Sequence, residues 1–145
     1  MGLNLTLDHI NVRTANVETM LAFYARVMDM KPGPRPHFGG AGGAWLYTEE
    51  KMGDSLDAVK ADYRAAWVHF IEVGPTEPNH GNLQIEHFAF TATGMPIFLH
   101  RLKAENCSYD MVDMPDVGLV QVNFRDPDDN HIHVDFPLDE KPDQA

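Results

Sequence analysis

Two stretches of the chain share one order of apolar and polar positions. Residues 7–12 read Leu-Asp-His-Ile-Asn-Val and residues 85–90 read Ile-Glu-His-Phe-Ala-Phe. Each runs apolar, acidic, His, apolar, small or polar, apolar. Their histidines lie 78 residues apart (87 − 9). Alternating β-branched and aromatic residues predict a strand in both places.

A helical pattern comes after each strand. Val17, Met20, Leu21, Tyr24, Val27 and Met28 recur at helical spacing, with Asn16 as N-cap and Glu18 in the first turn. Lys31-Pro32-Gly33 ends that element. In the second half Pro96 suits a first turn, Phe98, Leu99 and Leu102 form the apolar face, and the helix frays near Asn106. Strands are predicted near 45–48 and 67–73, with a weaker one near 33–38, and then near 109–113, 119–125 and 131–136. Asp126-Pro127-Asp128-Asp129-Asn130 reads as the turn between the last two.

Each half is therefore strand, helix, three strands. The expected fold class is α+β: one domain, residues 1–145, of two tandem βαβββ modules (5–75 and 83–137) with a polar tail at 138–145. The halves differ mainly between 49 and 66, where Ser55 to Ala66 has helical composition. Gly39-Gly40-Ala41-Gly42-Gly43 is a flexible loop without the spacing of a phosphate-binding loop.

Composition narrows the functions. Hydrophobic residues make up 43% of the 145, enough for a core. The formal charge of −11 repels nucleic acid and anionic membranes, so neither is expected as a partner. Cys107 is the single cysteine, which excludes an intrachain disulfide and fits a reducing cytoplasm. No signal peptide or membrane-length apolar run is read, so a cytoplasmic location is expected.

Four of the eight histidines fall into the repeat. His9 and His87 hold the third position of the matched strands, and His69 and His133 lie in the last strand of each half between apolar neighbours. If first and last strands lie side by side, each pair points into one concave face. Two halves, of one chain or of two subunits, then bring four imidazoles together. Three or four imidazoles suit a divalent ion such as Zn, Ni, Fe(II) or Cu, and an open position lets a substrate oxygen be polarised. His131 shares the side of His133 and is a weaker candidate. His37, His80 and His100 read as surface residues.

These motifs resemble the vicinal oxygen chelate superfamily, which includes glyoxalase I, extradiol dioxygenases, fosfomycin resistance proteins and bleomycin resistance proteins. The resemblance runs from about Leu7 to Pro137. It also rests on Ala22-Phe23-Tyr24, Met28-Asp29-Met30, Trp67 to Glu72, and Phe124-Arg125-Asp126-Pro127-Asp128 leading to Ile132-His133-Val134. It implies paired βαβββ modules around a metal-holding cleft, with His9 and His87 as first-strand ligands and positions 69 and 133 as last-strand ligands. Relatives often keep Glu at the last-strand position, where it serves as a base. This chain has His at both, so His69 or His133 would be the catalytic base, or the chemistry is not proton transfer. Glu72 turns to the other face from His69, whereas Asp135 shares the face of His133.

The resemblance leaves three functions. The first is a metal-dependent lyase or isomerase of glyoxalase type acting on a small substrate with vicinal oxygens. The second is a non-haem Fe(II) extradiol dioxygenase built on His9, His87 and His133. The third is a resistance-type protein that only binds a small molecule, with Trp45, Tyr47, Trp67 and Phe88 lining its cleft. Tyr47, Asn11, Gln121 and Asp135 are candidate substrate contacts, with Arg13 an alternative anchor for an acidic substrate. A homodimer is expected, because glyoxalase I-like proteins share the site between subunits.

Overall fold

The computed structural model describes residues 7, 9–35, 40, 42–49, 66–74 and 87–143. The extra segment from Ser55, apart from Ala66, lies outside them, as do His37 and His80. The chain divides into two compact units, Met1–Ala25 with Asp29–Thr76 and Arg26–Met28 with Glu77–Ala145.

The first unit holds β1 (Ile10–Thr14), most of α1 (Val17–Met28), β2 (Met30–Pro32), β3 (Gly43–Thr48) and β4 (Ala66–Glu72). The second holds β5 (Phe88–Thr91), α2 (Met95–Ala104), β6 (Tyr109–Met114), β7 (Leu119–Arg125) and β8 (His131–Pro137). The sheets have orders β1-β4-β3-β2 and β5-β8-β7-β6. In each, the first and last strands are parallel neighbours and the other pairs are antiparallel. This is the duplicated βαβββ arrangement that the repeat predicts.

Two local differences from the sequence reading have clear causes. Helix α1 stops at Met28, not at Lys31-Pro32-Gly33, because Asp29 adopts a left-handed conformation (φ 58°) and its N–H bonds the Tyr24 carbonyl. The next strand therefore starts at Met30, which is buried and pairs with Thr48, earlier than the predicted 33–38. Residues 33–35 are not in a strand.

Each core lies on the helix side of its sheet. Met20, Phe23 and Tyr24 of α1 are buried, and the Tyr24 ring meets Phe70 edge-on at 5.2 Å. In the second unit Phe98 of α2 packs on Phe124 at 5.5 Å and Phe136 at 5.3 Å. Each such buried side chain is worth about 1.5–3 kcal/mol of transfer free energy. Glu140, in the short 3-10 turn Leu138–Glu140, accepts hydrogen bonds from the N–H groups of Gly94 (2.6 Å) and Met95 (2.8 Å). A carboxylate there satisfies orphan donors and complements the dipole of α2. Part of the polar C-terminal segment is thus a helix cap.

Candidate functional site

Burial along the last strands singles out two residues. In β4, Ala66, Val68 and Phe70 are buried while Trp67 and Ile71 are exposed, as a sheet with one covered face requires. His69 breaks this alternation: it lies on the other face and is only 7% exposed. In β8, Ile132, Val134 and Phe136 face the core, and His133 is again the exception at 7%. The neighbours that bury each histidine differ between the units.

In the first unit the partner across β3 is Trp45, directly opposite His69. The indole and imidazole stack at 4.2 Å and 8°. His9, one residue before β1, stacks on His69 at 3.9 Å and 18°. The three rings form one pile. Asn11 is exposed and lies opposite His69 across β1. Tyr47 is fully buried and its hydroxyl donates to the Pro34 carbonyl at 2.6 Å. A register shift between Leu46 and Tyr47 accompanies the burial of both residues. Burial also pushes the Tyr47 hydroxyl above the usual tyrosine pKa.

In the second unit His87, one residue before β5, lies 4.8 Å from His133, ring centre to ring centre, with the planes tilted by 50°. It lies 5.2 Å from His131 at 58°. His133 Nδ1 and Asp135 Oδ1 share a hydrogen bond of 2.9 Å. His131 Nε2 bonds Asn123 Oδ1 at 3.0 Å. Gln121 lies opposite Asp135, and Asn123 opposite His133, so all share the face of β7 and β8 away from the core. Sequence reasoning selected Gln121 and missed Asn123, which the same alternation places two residues on. A cavity of about 480 Å³ opens where β6 begins and β7 ends, lined by Ser108, Asp110, Asn123, Arg125 and His131 among others. That volume suits a small molecule.

The structure thus pairs His9 with His69 and His87 with His133, each within its own unit. The pairs differ in fitness for a metal. An imidazole lone pair lies in the ring plane, so an ion shared by two rings lies in both planes. Near-parallel rings stacked face to face cannot satisfy this, so His9 and His69 as placed do not share one ion. With ligand bonds of about 2.0–2.1 Å, two tetrahedrally disposed imidazoles have ring centres roughly 5 Å apart and tilted planes. His87 and His133 fit that description. Among the described residues, no group of three or more His, Cys, Asp and Glu side chains is arranged to hold an ion.

Similar proteins agree with the fold. A glyoxalase/bleomycin resistance protein/dioxygenase domain from Frankia sp. EAN1pec superposes with a TM-score of 0.69 at 12% identity, covering 93% of this chain and 99% of its own. A glyoxalase family protein from Bacillus anthracis gives 0.67 at 19% identity, with 94% and 98% covered. The trypanothione-dependent glyoxalase I of Leishmania major gives 0.62 at 12% identity, with 90% and 86% covered. Identities this low establish a shared fold. No curated protein matches the chain. Residues 6–134 match the family described as the Glyoxalase/Bleomycin resistance protein/Dioxygenase superfamily, and the chain belongs to it.

Proposed function

We propose that this protein is a metal-dependent lyase or isomerase of glyoxalase type, acting on a small molecule whose neighbouring oxygens bind the metal. The observation that carries the reading is the His87–His133 pair, whose tilted rings suit a shared ion; His131, 5.2 Å from the His87 ring, lines the neighbouring cavity. His87 and His133 would hold a divalent ion such as Zn, Ni or Fe(II). Bound there, the ion would stabilise negative charge developing on a substrate oxygen. The chain's own groups do the rest. Gln121, on the same face as Asp135 in the second unit, offers an amide contact to the substrate. A base in this chain would be an imidazole not bound to the ion, because neither last-strand position has a carboxylate. His9 and His69 remain candidate ligands if their stack opens.

The lone cysteine suits a reducing, cytoplasmic setting. Among the described residues no helix is long and apolar enough to cross a membrane. We place the working form as a homodimer, to be checked by sedimentation.

The test is turnover of hemithioacetals and acyl-CoA epimers by metal-loaded protein. Turnover lost in His133→Ala supports the reading, and no turnover with any divalent ion sinks it. The Trp45–His69–His9 pile favours a second reading, a resistance-type binding protein that stacks a flat ligand on these rings. Ligand binding without any metal uptake would select it. Oxygen uptake with catechols by the Fe(II) form would point to an extradiol dioxygenase.

A further inference from the structure

The two last-strand histidines are related by the duplication, yet their next same-face neighbours differ. Two residues after His133 comes Asp135, and two residues after His69 comes Ile71. Successive same-face positions on a strand are neighbours, so each of these side chains borders its histidine. Ile71 has no acceptor to offer. Asp135 places Oδ1 2.9 Å from Nδ1 of His133, and the pair is mostly shielded from solvent, with side chains 9% and 17% exposed.

An ionised carboxylate only accepts hydrogen bonds. With Nδ1 engaged by Asp135, Nε2 is the ring nitrogen left to meet an ion. The same bond fixes the ring about its Cβ–Cγ bond. A neutral imidazole that donates one N–H to a carboxylate is a better ligand through its other nitrogen, because tautomer and orientation are set beforehand. We infer that Asp135 is a positioning residue that presets His133 as a metal ligand through Nε2. Asp135 is thereby assigned to the histidine, not to the substrate contact expected from its place on the strand. The inference rests on the metal-binding reading of His133.

Two measurements separate its failure from the failure of that reading. The first uses metal-free protein. Long-range ¹H–¹⁵N correlation spectra of the imidazoles should show His133 protonated on Nδ1 and bare on Nε2, and Asp135→Ala should redistribute the proton toward Nε2. The second is Co(II) affinity by chelator competition, with the visible spectrum of the bound ion as a second readout. Asp135→Ala should weaken binding about 10–100-fold and change the spectrum, with Asp135→Asn between it and the wild type. Thermal unfolding of Asp135→Asn guards against a loss caused by misfolding. Wild-type protein with the proton on Nε2 of His133 overturns the inference whether or not cobalt binds. So does Co(II) affinity of Asp135→Ala within about twofold of wild type while His133→Ala is defective. Wild-type protein that takes up no cobalt overturns the reading on which the inference rests, and the inference with it.

Discussion

Asp126 governs the entry to the strand that carries His131, His133 and Asp135. It is 5% exposed, and its Oδ1 accepts the main-chain N–H of Asp128 and of Asn130, each at 3.0 Å. The Asn130 amide adds contacts of 3.1 and 2.9 Å to the two carboxylate oxygens. Truncation to Ala removes a charged acceptor from two backbone donors. Hydrogen bonds to charged groups are worth about 1.5–3 kcal/mol each, and water recovers part of that at a half-buried turn. The expected cost of Asp126→Ala is therefore about 2–4 kcal/mol, and Asp126→Asn, which keeps an acceptor oxygen, should cost about half as much. Urea unfolding followed by circular dichroism reads this directly. With a slope of about 2 kcal/mol per molar, the midpoint should fall by roughly 1–2 M at unchanged slope. A loss below about 0.5 kcal/mol would refute the view that this carboxylate organises the turn.

The other contacts make three more expectations testable. Gly43 has φ of 139°, and an added Cβ would come within 2.1 Å of the Phe70 carbonyl oxygen. Gly43→Ala should therefore destabilise the first unit by at least about 1–3 kcal/mol, read by chemical denaturation, and a neutral result would refute the close approach. Tyr47 stays protonated to higher pH folded than unfolded, so its contribution is intact below the ordinary tyrosine pKa and fades as pH rises through the raised folded value. Wild type should lose stability in that alkaline window faster than Tyr47→Phe, and parallel pH profiles would contradict it. Burial likewise pushes the Cys107 thiol up, and its Sγ lies 3.4 Å from the Arg125 carbonyl oxygen. Iodoacetamide should alkylate Cys107 more slowly at pH 8 in folded than in urea-unfolded protein, and equal rates would count against a shielded thiol.

The strands, the helices and the duplication were legible because apolar spacing and the matched His positions report local geometry. The pairing of His9 with His69 and of His87 with His133 came from placing first and last strands together. What spacing could not report is how rings orient. Trp45 and Asn123 occupy corresponding places opposite His69 and His133, and one stacks on its histidine while the other bonds His131. That difference in partner separates a pile of rings from a pair suited to an ion. The burial of Tyr47 was hidden for a similar reason. Simple alternation gives no sign of the register shift at Leu46/Tyr47, which accompanies burial of both side chains. Asp29 ended a helix early because a left-handed residue, not the later proline, decided the boundary.

We propose above all that His87 and His133 hold a divalent ion. Elemental analysis of purified protein after loading and desalting tests it, with wild type compared against His87→Ala and His133→Ala. Metal should be retained by wild type and lost by both variants. Metal content unchanged by either substitution would contradict it.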